Sequence, residues 1–184
     1  LEFRRMIGDE TRAIVFEIVI QLGAILAVCL VYRRELGGVI LRSWRVPGPE
    51  RRLLWLLAVG FAPAAAAAFF VGDFVEERLF SPETVAVALV VGGVLILVIE
   101  RLPLAARART VREMTVAQAF WVGVAQLASL FPGVSRSGAT IMGGLGAGLD
   151  RRTATEFSFL LAFPVMAAAS LYQIVKHRHA LDAG

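Results

Sequence analysis

"LFPGVSRSGATIMGGLGAGL" occupies residues 130–149. Its reading decides how the chain is threaded. It follows residues 114–131, an apolar run with no charge after Glu113, and it opens on proline, glycine, hydroxyls and a single arginine. Two paths are open. If 114–131 crosses a bilayer completely, "PGVSRSGAT" is a turn on the far side. If the run turns back, that turn lies at membrane depth and "TIMGGLGAGL" (140–149) is the returning arm. Ten helical residues rise about 15 Å, roughly half of a hydrocarbon core about 30 Å thick. That length favours a re-entrant hairpin over about 114–149. The basic "KHRH" at 176–179 pulls toward full crossing.

The rest of the chain sets the solvent. Of 184 residues, 58% are hydrophobic and 18% charged, and the mean hydropathy is +0.71. Soluble domains carry about 25% charged residues. Four further apolar runs stand at 13–32, 53–72, 84–99 and 157–175. Each is too long for a strand and none alternates with period two, so all are read as helices. Pro63 and Pro164 fall inside two of them, where kinks are expected. The expectation is an all-α polytopic membrane protein: about four transmembrane helices plus a re-entrant helix-loop-helix, in one integral-membrane domain over 1–184. Cys29, alone in an apolar run, has no intrachain disulfide partner.

The pI near 10.2 does not point to nucleic acid, because the arginines fall in short loops with no aromatic-interleaved basic face. They act instead as topology signals. Residues 33–52 hold six arginines and two glutamates, 100–115 four arginines and two glutamates, and 73–83 four acidic residues and one arginine. The first and second of these loops are expected inside, the third outside.

The turn itself is built from donors. Irregular backbone at membrane depth is tolerated only when buried in protein or lining a wet cavity. An arginine at the bilayer centre costs at least about 2.5–3.5 kcal/mol on insertion scales, so Arg136 needs a partner there. Its planar fork matches carboxylate or phosphate oxygens. Gly133 and Gly138 let successive N–H groups converge as an anion-binding nest. Ser135, Ser137 and Thr140 add hydroxyls, and a helix starting near 137–140 would aim its positive end at the same point. Phosphate suits such a set best. The blander alternative is an extramembrane turn whose serines cap a helix and whose Arg136 meets water or lipid phosphate.

Other polar groups in apolar surroundings are weighed the same way. Glu17 and Gln21 share a helix face, being four apart. An ionisable group in a span is a functional candidate, though Glu17 at the interface and Gln21 in an interhelical bond would serve structure alone. Gln126 precedes the turn and could brace it. Glu156 opens "EFSFLLAFP" and could pair with Arg136, Arg151 or Arg152. His177 and His179 sit in a basic tail, and Trp44 and Trp121 suit interfacial belts. "FEIVIQLGAILAV" (16–28) faintly echoes "EFSFLLAFPVMAAAS" (156–170), which hints at inverted repeats around a midplane site.

"QAFWVGVAQLASLFPGVSRSGATIMGGLGAGLDRRTATEFSFLLAFP" (118–164) resembles the second signature region of the undecaprenyl-diphosphatase (bacitracin-resistance) family. "FEIVIQLGAILAVCLVYRREL" (16–36) and "ALVVGGVLILVIE" (88–100) resemble other parts of it, in order. The resemblance implies bacterial inner-membrane enzymes that hydrolyse undecaprenyl diphosphate to the monophosphate and recycle the lipid carrier of cell-wall synthesis. It also implies two re-entrant hairpins meeting at a site open to the periplasm, and a divalent cation, Mg2+ or Ca2+. By position Ser135, Arg136 and Thr140 match diphosphate-site residues. Arg136 and Ser135 are the expected catalytic residues; Gly133, Ser137, Gly138, Thr140, Glu17, Gln21 and Glu156 are the expected substrate contacts. Expected partners are a polyprenyl diphosphate lipid, the bilayer and a second copy in a homodimer, with no nucleic acid. The family's first signature, with paired glutamates, serines and a Gly-His, has no match here. The chain is therefore expected to begin after that hairpin and to stop before the terminal spans. The metal-holding carboxylates and the acid/base histidine would then be absent from it, and it would be inactive alone. The rival readings are a transporter or flippase for an anionic phosphate-bearing lipid, and a purely structural membrane subunit.

Overall fold

The structure, a computed structural model, describes residues 10–34, 37, 48–79 and 81–176. Its elements are α1 (Glu10–Val31), α2 (Pro49–Leu79), α3 (Pro82–Arg101), α4 (Val116–Ala125), a 3-10 helix (Gln126–Leu130), α5 (Arg136–Gly146) and α6 (Arg151–Lys176). Among the described residues the only extended pairing is an isolated parallel bridge between Ala108 and Leu149. The chain is an all-helical, multi-pass membrane protein. Among the described residues three helices are long and apolar enough to cross a bilayer: Pro49–Gly72, Pro82–Arg101 and Arg151–Tyr172. The fourth expected span corresponds to α1, for which the placement of many side chains lies outside the described residues.

Local chemistry sets the helix ends. Ser81 caps α3 by accepting from the Thr84 N–H, Pro82 follows it, and Arg101 closes the last turn. Each choice suits the free groups and the dipole at that end. Thr115 opens α4 with a capping box to Gln118. Asp150 precedes α6, its Oδ1 accepting from the Thr153 N–H at 2.7 Å. Hydrogen bonding from Thr153, with Arg109 and Arg152 near, holds that carboxyl below its usual range. Helix α2 runs unbroken through Pro63 and α6 through Pro164. Helix α2 also continues past Gly72, where the expected apolar run ends, into the charged "DFVEER".

The chain divides into two compact units, residues 34–161 and residues 1–33 with 162–184, and the boundary falls within α6. The smaller unit contains α1 and the last part of α6, with Ile25 and Ser170 buried. The larger unit carries the hairpin. Leu56, Leu57 and Ala64 are buried on α2, and between them Gly60 stands against Ala119 of α4 and Phe157 and Leu161 of α6. A Cβ on Gly123 would overlap the Gly60 backbone, and one on Gly143 would overlap Ala125. Helices α2 and α4 therefore meet backbone to backbone, and α5 sets a glycine against the Ala125 methyl of α4, close approaches that small residues permit in membranes. Helix α3 buries no residue and presents Val87, Leu89, Val90, Val94 and Leu97 outward. In water that face would be an aggregation liability; hydrocarbon solvates it without penalty.

The feet of the α4–α5 hairpin are stitched together. The Gln118 Nε2 donates to Ala147 O at 3.1 Å, Arg107 N to Gly148 O at 2.7 Å and Asp150 N to Ala108 O at 3.0 Å. Arg52 donates to the carbonyls of Arg112 and Met114. Arg151 pairs with Glu100 at 3.1 Å. The start of α2, the end of α3, both hairpin feet and the start of α6 thus share one basic end. The chain enters and leaves the hairpin at the same level.

Candidate functional site at the hairpin tip

The tip lies at the other end of that hairpin. Gly133 takes φ +91°, and a Cβ there would stand 2.6 Å from Val85 O. Val85 is in the first turn of α3, about 24 Å along the helix from Arg101 at about 1.5 Å per residue. The tip therefore stands beside the amino-terminal end of α3 rather than midway along it. With its 3-10 extension, the descending arm carries the tip close to the acidic end.

Helix α5 begins at Arg136, slightly earlier than the sequence suggests, because Ser135 serves as its N-cap. The Ser135 Oγ accepts from Gly138 N at 3.2 Å and lies 3.2 Å from the Ser137 Oγ. A Cβ on Gly138 would press on Ser135 Cβ at 3.3 Å, so the cap closes tightly over a glycine. Arg136 and Ser137 occupy first-turn positions whose N–H groups have no intrahelical acceptor. The Arg136 side chain is half-buried, with its Nη1 enclosed. Ser135 remains exposed. Guanidinium, helix terminus and two hydroxyls converge on one turn, an arrangement that accommodates an anion.

Thr140 is placed otherwise than expected. It is fully buried. Its Oγ1 lies 3.0 Å from Arg136 O, 3.1 Å from Ser137 O and 2.6 Å from the Ser158 Oγ of α6. The hydroxyl is occupied inside the protein. Ser158, itself buried, is a residue that sequence reading missed. Gln126 is also buried, and its Oε1 has no hydrogen-bond partner among the described residues. It opens the 3-10 segment, and Ser129 Oγ donates to its carbonyl at 2.7 Å.

Glu156 is half-buried on α6. Of its three expected candidate partners, Arg136, Arg151 and Arg152, Arg151 reaches Glu100 instead. No ion pair of Glu156 occurs among the described residues. Glu17 and Gln21 lie in α1, but their side chains, like His177 and His179, fall outside the described residues. Among the described residues no group of three histidines, cysteines or carboxylates could hold a metal ion. A divalent cation therefore finds no ready donor set in them. Positive charge at this tip comes from Arg136 and the helix terminus.

Fold and site together define a polytopic helical membrane protein that carries a cationic, serine- and glycine-built hairpin tip. Over residues 2–183 the chain matches the family described as Bacitracin resistance protein BacA, and it belongs to that family. It is 46% identical over 175 residues to undecaprenyl-diphosphatase 1 of Chromobacterium violaceum, covering 95% of this chain and 64% of that protein. It is 49% identical over 174 residues to undecaprenyl-diphosphatase 2 of Rhodospirillum rubrum (95% and 63%). The identity is also 49% with undecaprenyl-diphosphatase of Aromatoleum aromaticum (92% and 62%). The chain thus spans less than two thirds of the length of these relatives.

Proposed function

We propose that this chain forms the anion-binding part of an undecaprenyl-diphosphatase, which hydrolyses undecaprenyl diphosphate to undecaprenyl phosphate and inorganic phosphate. The observation that carries the proposal is the Arg136 turn: a half-buried guanidinium on the first residue of a serine-capped helix, at the tip of a hairpin in a lipid-facing protein. Membership of a family whose relatives bear that enzyme's name supports it. The prenyl tail lies along apolar helix faces and the diphosphate lies at the tip. Water attacks the terminal phosphorus, the bond to the bridging oxygen breaks, and that oxygen leaves on undecaprenyl phosphate. Arg136 and the first-turn N–H groups hold phosphate oxygens and offset the charge that grows on them. Ser135 fixes the turn as its cap. In this proposal the basic end faces the cytoplasm, and the tip opens toward the periplasmic side of a bacterial inner membrane.

Phosphate release from undecaprenyl diphosphate in detergent micelles tests this in the protein that carries the chain. Arg136→Ala is expected to lower turnover by about a hundredfold or more with membrane insertion unchanged. Arg136→Lys should remain poor, because a point charge does not reproduce the fork. Turnover of either variant within twofold of wild type would overturn the assignment. Because micelles have one compartment, release there also separates hydrolysis from translocation.

A further inference from the structure

We propose that Ser158 is a positioning residue for the Arg136 turn, acting through Thr140; this rests on the hydrolase reading above. Three oxygens surround the Thr140 hydroxyl, which carries one hydrogen: Arg136 O at 3.0 Å, Ser137 O at 3.1 Å and Ser158 Oγ at 2.6 Å. Carbonyls only accept. The Thr140 hydrogen therefore serves the two carbonyls as a shared bond, and Ser158 donates its own hydrogen to Thr140 Oγ1. The relay runs from α6, through Thr140, to the peptide carbonyls of the two residues that form the anion-facing turn.

The environment shields this relay from water. Thr140 and Ser158 are 0% and 1% exposed, so water does not compete for either hydroxyl. Ser158 lies on the buried face of α6, beside Phe157 and near Leu161, which packs at the α2–α4 crossing. From α5 the neighbouring anchor of the same turn is the Ser135 cap, made from within the loop. Ser135 ties the turn to its own chain, whereas the Thr140–Ser158 bond ties it to a different helix. Loss of the Ser158 hydroxyl leaves Thr140 still bonded to its carbonyls, so no buried donor is orphaned. What is lost is the fixed angle of the α5 first turn relative to α6. A displacement of reacting groups by a fraction of an ångström lowers the chemical step more than binding.

The test compares wild type, Ser158→Ala, Thr140→Val and the double variant in the full-length protein. For Ser158→Ala, kcat for undecaprenyl diphosphate is expected to fall roughly tenfold, with KM within twofold and the protein still folded in detergent. The double variant should fall no further than Thr140→Val alone, since both act on one relay. Thr140→Ser, which keeps the hydroxyl, should retain near-normal kcat. Hydrogen exchange of the Ser137–Thr140 amides provides a readout independent of turnover, and it should accelerate severalfold in Ser158→Ala. Unchanged exchange, or additive losses in the double variant, would overturn the positioning role. Absence of phosphate release by wild type would sink the hydrolase reading instead, and exchange would still decide whether Ser158 orders the turn.

Discussion

At Gly133 the backbone takes φ +91°, a region that L side chains enter only at a cost of about 1–3 kcal/mol. An alanine there would also place its Cβ 2.6 Å from Val85 O and 2.9 Å from Val85 Cα. Backbone cannot yield as a flexible side chain does, so Gly133→Ala should push the tip away from α3. The expected outcome is a melting temperature lower by several degrees in detergent, together with loss of phosphate release. An unchanged melting curve would mean that the tip tolerates another path. This glycine was readable from the sequence, because Pro-Gly in an apolar setting announces a turn from local chemistry alone. Arg136 was readable for the same reason, as a charge whose isolation demands a partner. Thr140 was misplaced because its direction depends on the rotation of α5 about its own axis. That rotation follows from the residue at which the helix starts, Ser135 as cap and Arg136 as first residue. Ser158 was invisible for a related reason: nothing in the local pattern of α6 says that it will face a hydroxyl eighteen residues away.

Among the elements, the hairpin holds its shape through absent side chains. Gly123 and Gly143 sit where a methyl group would overlap Gly60 and Ala125, so α4 is clamped between α2 and α5. Gly123→Ala or Gly143→Ala should therefore cost about 1–3 kcal/mol as overpacking. The losses should appear as reduced monodisperse yield and a lower melting temperature in size-exclusion measurements. Gly146→Ala is the control, since a Cβ there meets nothing within 4 Å. It should be neutral or mildly stabilising through helix propensity. Equal behaviour of all three would show that the close crossings carry no weight. Helix existence was legible because apolar length and capping residues are local signals. Boundaries were less so. Helix α2 outlasts its apolar segment because acidic and basic residues sustain a helix as well as apolar ones do. The run over 114–131 divides into α4 and a 3-10 turn at Gln126, a break that hydropathy does not register.

For the molecule as a whole, the decisive issue is the side from which the hairpin enters. The basic loops at 48–52, 100–114 and 147–152 are joined by hydrogen bonds and an ion pair, so they occupy one side together. Because short basic segments favour the cytoplasm, that side is predicted to lie inside and the acidic "DFVEERLFSPE" at 73–83 outside. The tip, against Val85, is then predicted to approach that outer side without a complete crossing. Single-cysteine labelling in intact cells can read this arrangement, after Cys29→Ala removes the one thiol of these 184 residues. Glu83→Cys should react with a membrane-impermeant maleimide added from outside. Arg109→Cys and Arg152→Cys, both at exposed positions, should react only after permeabilisation. Arg152 is the discriminating position, because it follows the hairpin. If residues 114–131 crossed the bilayer fully, position 152 would lie outside and label as fast as position 83. Equal labelling of Arg152→Cys and Glu83→Cys would overturn the re-entrant path. It would also carry the Arg136 turn out of the bilayer, away from the lipid-borne anion that its half-buried guanidinium is proposed to hold.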